Sequence, residues 1–257
     1  MATEDTIRVD FTEQAMCGQQ RIQLSFAEPQ TRQFMLIPTA ILSLLAACAS
    51  APLDRSVNLI QPGLAGWHTD IPAADDKSQV LSPSFEVKDG ILVSNGTPTG
   101  HLITDASHAN YRLVVEWRWP GEPGNCGILV HSSKKRRLYG QFPQSIECQL
   151  HVGNAGDFWC IGEDIAVPDM EKRRGPKEKW GGDEKDARRI VNLTDGSEKP
   201  LGEWNEMVIE CKGRTIDIWV NGVQVNHGYD CTADRGQIAV QAEGAKCEFR
   251  KLELSPL

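Results

Sequence analysis

Apolar and polar residues alternate with a period of two along several stretches of the chain from Leu59 onward. That period places successive side chains on opposite faces of a β-strand. It predicts strands at residues 111–119, 125–131, 145–152, 207–212, 215–220, 237–241 and 248–254. The dipeptides Lys212-Gly213 and Asn221-Gly222 mark turns, and Asn-Gly is a strong hairpin signal. Many short strands with such turns predict an all-β fold, a jelly roll or sandwich of two antiparallel sheets.

Three of the predicted strands have one apolar and one polar face. The polar faces hold Arg112, Glu116 and Arg118 in the first strand, Asn125, Gly127 and His131 in the second, and Ser145, Glu147, Gln149 and His151 in the third. Two stacked sheets would bury the apolar rows between them. If the three strands are neighbours, their polar rows converge on one water-accessible hollow.

Residues 161–203 show little of the apolar–polar alternation typical of strands, which predicts a long irregular loop. Loops of this length are usually functional or disordered. Two interpretations stay open, a lid or rim over the site and a solvated surface excursion. Trp180 slightly favours the lid, because a disordered loop has little use for a large aromatic side chain.

The first 48 residues resemble a leader. An apolar run at 35–47 is too short to span a bilayer, which takes roughly 20 residues. It suits a signal peptide and ends in Leu45-Ala46-Ala47-Cys48, which resembles a lipobox with Cys48 as the lipidated residue. The alternative is a buried helix of a cytoplasmic domain. The expectation is a lipid-anchored envelope protein, facing the periplasm from the outer membrane because Ala49 follows, with a tether at 49–60 and one domain at 61–257.

Charge and cysteine content narrow the function classes. A formal net charge of -8 argues against nucleic acid as a partner. Six cysteines lie beyond the leader: Cys126, Cys148, Cys160, Cys211, Cys231 and Cys247. In an oxidising compartment they form disulfides, with fifteen possible connectivities; the alternative is six buried free thiols.

An ordered set of motifs resembles the 3-keto-disaccharide hydrolase family over about residues 59–257. The motifs are Gly66-Trp67-His68, residues 113–118 (LVVEWR), residues 124–128 (GNCGI), residues 145–149 (SIECQ), Glu203-Trp204-Asn205, residues 219–222 (WVNG), residues 241–244 (QAEG) and Glu248-Phe249-Arg250. Cys126 stands where the family usually has Ser, and His151 where many members have Asp. The resemblance implies a concanavalin A-like jelly roll and action on glycosides oxidised at C3.

That substrate class sets the chemistry required. A ketone at C3 acidifies the C2 proton, and the resulting enolate expels the group at C1; water then adds back. The reaction needs a base near C2, an electrophile near the C3 oxygen and an acid near the leaving oxygen.

Candidate residues come from the polar faces. Glu147 is the first candidate for base or metal ligand, and Glu116 could complete a two-carboxylate glycosidase pair with it. His131 and His151 could join Glu147 around a divalent metal ion or move protons. Arg118 could hold the enolate, although Glu116 and Arg118 could equally pair across their sheet.

Other residues are candidates for binding the substrate. Asn125 and Gln149 suit hydroxyl recognition, and a tight loop places Asp157 and Trp159 at the groove rim. Trp stacks well on a sugar ring; a core position is the alternative for Trp159. Glu243 and His101 are weaker candidates, and the core is expected to hold Trp67, Trp117, Trp119 and Trp219.

Three functions therefore remain open: a hydrolase or lyase of 3-keto-glycosides, a non-catalytic carbohydrate-binding lipoprotein, and a structural envelope lipoprotein with a protein partner of unknown identity. The concanavalin A-like fold serves lectins as well as hydrolases, so fold alone does not decide between them.

Overall fold

The computed structural model describes residues 56–257, which form the predicted concanavalin A-like jelly-roll sandwich. The leader, the lipobox with Cys48 and the tether up to Arg55 lie outside the described residues and stay predictions. Within residues 56–257, none of the helices has the length and apolar character needed to cross a membrane.

Two antiparallel sheets stack face to face. Sheet A has the order β13-β12-β11-β6-β15-β4-β3, with β1 paired to β15. Its strands are β1 (Val57–Asn58), β3 (Phe85–Lys88), β4 (Ile91–Ser94), β6 (Tyr111–Arg118), β11 (Asn205–Lys212), β12 (Thr215–Val220), β13 (Val223–Gly228) and β15 (Cys247–Pro256).

Sheet B has the order β10-β9-β8-β7-β14-β5-β2. Its strands are β2 (Trp67–Asp70), β5 (Gly100–Thr104), β7 (Gly127–Ser132), β8 (Ser145–Gln149), β9 (Phe158–Ile161), β10 (Arg189–Ile190) and β14 (Gln237–Ala242). All the strand pairs in both sheets are antiparallel, as the sequence pattern predicts.

The apolar rows meet between the sheets. Leu113, Val115 and Trp117 of β6 are fully buried there and face Ile128 and Ile146 of sheet B in one core. Full burial of such side chains stabilises the fold by roughly 1.5–3 kcal/mol each. Trp119 is buried as expected and Trp67 packs against the core, but Trp219 is only half-buried. It alternates with the buried Ile218 and Val220, so its place in the core was predicted wrongly.

A second apolar cluster covers part of the outer face of sheet B. Ile103, Leu129, Ile161 and Ala239 project outward from four strands, and Leu138 and Phe142 of the 133–143 loop pack on them. The outer face of sheet B is therefore covered by this loop over part of its surface, and a hollow opens beside the covered part at β8 and β9.

The segment 161–203 is folded against the sandwich. It contains the short helix α1 (Met170–Arg174) and the edge strand β10. Arg173 donates to Asn226 Oδ1 at 2.6 Å, and Arg174 donates to Asp164 Oδ1 at 2.5 Å. Both arginines are buried. The Trp180 indole donates to the Gly175 carbonyl oxygen at 2.8 Å, which fixes Trp180 within the segment itself.

The six cysteines of the described residues are buried free thiols in this structure. Burial raises the pKa of the Cys211 thiol to about 12 and that of Cys231 to about 11. The alternative of buried thiols therefore describes this structure, and the disulfide expectation does not.

Candidate functional site

A hollow of about 290 Å³ opens on the outer face of sheet B, where β8 and β9 lie beside the ends of two loops. Its wall combines carboxyl, amide, guanidinium and aromatic groups: Asn125, Tyr139, Phe142, Glu147, Gln149, Trp159, Ile161, Arg188 and Glu243. Five of the sequence candidates meet here, namely Asn125, Glu147, Gln149, Trp159 and Glu243.

Glu147 lies on β8, an interior strand of sheet B. On β8 it pairs with Leu129 of β7 on one side and Trp159 of β9 on the other. Its carboxyl group leans over Gly127, since a Cβ added there would lie 2.3 Å from Oε1. That oxygen is buried without a hydrogen-bond partner among the described residues. Burial, and secondly the charge of Glu243, raise the pKa of Glu147 to about 8 against the opposing effect of Arg188.

Glu243 is the second carboxyl group of the hollow. It follows β14 and forms an isolated bridge with Asn125, whose Nδ2 donates to Oε2 of Glu243 at 2.9 Å. Burial raises the pKa of Glu243 above its ordinary value, although the Asn125 hydrogen bond and Arg188 oppose the rise. Because the charge of Glu243 contributes to the raised pKa of Glu147, the two carboxyl groups interact electrostatically.

Arg188 supplies the positive charge of the site. Its guanidinium carbon lies 5.3 Å from the ring centre of Trp159 and 5.4 Å from that of Tyr139. A guanidinium held near two aromatic rings in this way is fixed in orientation. Sequence analysis missed both Arg188 and Tyr139, because each comes from a segment without strand periodicity.

Gln149 uses one end of its amide to hold the backbone. Its Oε1 accepts hydrogen bonds from the backbone N–H groups of Leu150 and His151 at 2.9 and 3.0 Å. Because β8 ends at Gln149, the chain turns there and His151 leaves the strand. Gln149 therefore both ends the strand and forms part of the wall of the hollow.

Glu116 and Arg118 are on the other sheet. Both belong to β6 in sheet A, where Arg118 donates to Glu248 at 2.8 Å and Glu116 forms an ion pair with Arg250. The two arginines also lie over the Trp204 ring. The expected convergence of the β6 polar row with Glu147 is wrong. The alternative, in which Glu116 and Arg118 form ion pairs across their own sheet, describes these residues. They are too remote to serve the same hollow, so Glu116 and Glu147 are not a glycosidase pair.

His131 also points away from Glu147. Its backbone has a positive φ of 55°, next to an irregularity in the pairing of β7 with β14. The ring therefore lies edge-on to Tyr111 of the core, with 6.4 Å between centres. Burial lowers the pKa of His131 to about 4. Gly127, under the Glu147 carboxyl group, is four residues away along β7, on the order of 13 Å at about 3.3 Å per residue.

The metal site predicted from His131, Glu147 and His151 is not assembled. His151 lies in an exposed turn, with its Nδ1 at 2.9 Å from the Val152 carbonyl oxygen and near Asn154. Across the described part of the chain, no three His, Cys, Asp or Glu side chains are grouped closely enough to hold a metal ion. These three residues therefore do not fit a shared divalent ion.

Asp157 has a structural position and does not reach the groove rim. It is fully buried, and its carboxylate accepts hydrogen bonds from Arg189 Nε and the Asn192 backbone N–H, both at 2.7 Å. Asp157 thereby ties the end of the irregular segment to sheet B, next to Arg188. Trp159 does line the hollow and is half-buried, as the rim interpretation predicts.

Comparisons with known proteins agree with the motifs. The model of a family described as "3-keto-alpha-glucoside-1,2-lyase-like domain" matches residues 60–255. No curated protein sequence matches the chain significantly.

Solved structures with the same fold include two putative glycosyl hydrolases from Parabacteroides distasonis ATCC 8503. Each is 18% identical, with a TM-score of 0.53 over 79% of this chain and 99% or 95% of the other. These similarities establish the fold.

Proposed function

The chain belongs to the 3-keto-alpha-glucoside-1,2-lyase-like family, and from this premise we propose that it cleaves glycosides whose sugar ring carries a ketone at C3. The observation that carries the proposal is that the carboxyl groups of Glu147 and Glu243 line the same hollow and that the charge of one raises the pKa of the other. Both have raised pKa values, and both are near the Arg188 guanidinium in one hollow. This set provides a base, an acid and an electrophile, which are the three groups that the elimination needs.

Glu147 is the base in this proposal. Its carboxylate takes the proton from C2, and the electron pair of the C2–H bond forms the C2=C3 double bond of an enolate with the charge on the C3 oxygen. A carboxylate with a raised pKa accepts this proton more readily than an ordinary one. Arg188, held between Tyr139 and Trp159, stabilises the charge on the oxygen.

Glu243 is the acid. When the C3 carbonyl re-forms, the electron pair moves to make a C1=C2 double bond, the C1–O bond breaks, and the leaving oxygen takes a proton from Glu243. Water added across C1=C2 returns a hydrogen to C2 and places a hydroxyl on C1, so the net reaction is hydrolysis. The coupled pair shares one proton, and the reactive form carries it on Glu243.

A second hollow supports this orientation. It has a volume of about 710 Å³, is lined by residues 120–124 and 243–246, and shares Glu243 with the first hollow. Glu243 thus stands at the junction, where a bond between a ring in the first hollow and a group in the second would lie. We place the leaving group in the second hollow. Its walls meet where a Cβ on Gly124 would lie 2.3 Å from Cβ of Ala245.

The test is turnover of a 3-keto-glucoside and of the parent glucoside, with and without a chelator. Wild type should release the leaving group from the 3-keto substrate only, and Glu147→Gln should abolish release. Glu116→Gln on sheet A is the matched control and should retain activity. The chelator arm tests the predicted divalent metal ion, for which the structure does not bring His131, Glu147 and His151 together as ligands. A folded wild type that binds glycosides and cleaves none would refute catalysis and support the carbohydrate-binding alternative.

A further inference from the structure

A row of polar side chains continues from the Glu147 site across the outer face of sheet B. Gln241 of β14 is paired directly with His101 of β5, and His101 with Asp70 of β2. On the other side, β14 pairs Val240 with Ile128, so continuing the register by one residue sets Gln241 beside Gly127. Directly opposed residues have Cβ atoms about 4.5–5.5 Å apart. Gln241 and His101 are therefore neighbours, next to the glycine under the Glu147 carboxyl group.

The two side chains are buried and lack partners. Gln241 is 1% exposed and His101 is 0% exposed. Both amide atoms of Gln241 and both ring nitrogens of His101 have no hydrogen-bond partner among residues 56–257. A buried polar group without a partner costs folding free energy, on the order of 1–3 kcal/mol. An apolar pair would fit a purely structural role better.

The row ends at Asp70, which already has a partner. Its Oδ1 accepts hydrogen bonds from Nε and Nη2 of Arg136 at 3.0 and 2.8 Å. Arg136 belongs to the 133–143 loop, so this ion pair fixes the base of the loop beside β2. Gln241 and His101 lie between Asp70 and Glu147 without any side-chain hydrogen bond, and Oδ2 of Asp70 and Oε1 of Glu147 are likewise buried without a partner among residues 56–257.

Phe142 separates these two residues from the hollow. Its ring lies edge-on to His101 with 5.6 Å between centres, and the same residue lines the hollow that contains Glu147. Phe142 closes a tight turn in which its backbone N–H donates to the Leu138 carbonyl oxygen at 3.0 Å. Phe142 is thus the side chain that contacts His101 on one side and lines the hollow on the other, and Gln241 lies next to His101.

The chemistry of the pair suits uncharged hydroxyl groups. Burial lowers the pKa of His101 to about 4, so its ring is neutral near pH 7, with one nitrogen a donor and the other an acceptor. The Gln241 amide likewise offers donors and an acceptor. Neighbouring hydroxyls of a sugar ring each donate and accept, and they match such a pair without introducing charge.

We propose that Gln241 and His101 form an extension of the sugar site that binds two adjacent hydroxyl groups of the ring when Phe142 turns away. This inference rests on the proposed carbohydrate substrate and adds the residues that recognise its hydroxyls. They are positioning residues, since the reacting carbons lie at Glu147 and Arg188.

The test uses variants that keep size and remove hydrogen bonding. In Gln241→Met and His101→Phe, the KM for a 3-keto-glucoside should rise at least about tenfold while kcat changes less than threefold. Gln224→Met is the matched control, because Gln224 lies on β13 of sheet A. Thermal midpoints should not fall, because each variant removes buried groups that have no partner.

Calorimetry with unoxidised glycosides separates this proposal from the catalytic one. Wild type should bind a parent glucoside more tightly than deoxy analogues lacking one hydroxyl, and the variants should bind the parent and one analogue equally. That result supports the extension even if no 3-keto-glycoside is cleaved. Variants that bind every glycoside as tightly as wild type, with unchanged KM, would overturn it.

Discussion

The carboxyl group of Glu147 lies over the backbone of Gly127 on the neighbouring strand, and a Cβ at Gly127 would be 2.3 Å from Oε1. The glycine provides the space in which the carboxyl group turns away from Leu129 and toward the hollow. Its backbone φ is not in the left-handed region, so the absence of a side chain matters here and not the conformational freedom. The position of the proposed base therefore requires that residue 127 has no side chain.

Gly127→Ala should displace this carboxyl group and leave the fold intact. The clash is with Oε1, Cγ and Cδ of the Glu147 side chain and with no backbone atom, so the side chain must move, and the free energy of unfolding should change by about 1 kcal/mol. A small misplacement of a catalytic group lowers rate strongly, and kcat should fall on the order of 100-fold. Kinetics with a 3-keto-glucoside and urea denaturation check both parts. Glu116→Gln, on β6 of sheet A and outside both hollows, is the control. Full activity in Gly127→Ala would contradict this placement of the base.

The pH dependence of kcat/KM should be bell-shaped. The reactive pair holds one proton, so activity is lost when both carboxyl groups are protonated and again when both are ionised. The alkaline limb should fall near pH 8, the value to which the pKa of Glu147 is raised, and the acid limb should lie above 4.5. In Glu243→Gln, the like charge that helps raise the pKa of Glu147 is removed. Titration of Glu147 by carbon NMR should then show a lower pKa, and an unchanged value would argue against the coupling.

Glu147 should also make stability depend on pH. Its pKa rises from 4.5 in the unfolded chain to about 8 in the fold, so the folded state binds this proton more tightly. Its contribution to stability is fully present below about pH 4.5 and is lost as the pH rises through 8. Glu147→Gln has no proton to lose, and its stability relative to wild type should rise over this window by a few kcal/mol, about 1.4 per pKa unit. Urea denaturation at pH 5 and pH 9 measures the difference, and equal values at both would contradict the burial of an uncompensated carboxyl group.

The sequence pattern predicts the faces of single strands well. Ile146 and Cys148 are buried in the core, while Glu147 is on the opposite face, as alternation requires. Alternation does not say which sheet a strand joins, and for that reason Glu116 of β6 was grouped with Glu147 although their sheets are opposite.

Two other features of the site cannot be predicted from the period-two pattern of the sequence. His131 itself has a left-handed backbone conformation, which turns its ring toward Tyr111 of the core. A pattern of period two has no signal for such an irregularity. Tyr139 and Arg188 reach the hollow from loops, where side-chain direction depends on tertiary contacts. The structure gives Arg188 an electrostatic reason for its position, since it lies within reach of two carboxyl groups with raised pKa values, but nothing in the charge-rich segment 161–203 singles it out from the other basic residues there.

Two variants of Arg188 distinguish a catalytic role of this residue from a structural one. Arg188→Lys keeps the positive charge but loses the flat guanidinium that lies over Tyr139 and Trp159, so kcat/KM should fall roughly 10- to 100-fold. Arg188→Met removes the charge itself and should cost on the order of 1,000-fold, the magnitude seen when a group that stabilises a developing oxyanion is deleted.

The same variant should move the pH profile in a defined direction. Arg188 lowers the pKa of Glu147, so its loss in Arg188→Met should shift the alkaline limb above pH 8. A residue that only supported the loop would lower activity without moving that limb. Arg112→Met, which removes an exposed arginine paired with Glu210 on sheet A, should change neither rate nor profile. An Arg188→Met enzyme of reduced activity with its alkaline limb still near 8 would show that this guanidinium does not act on the carboxyl pair.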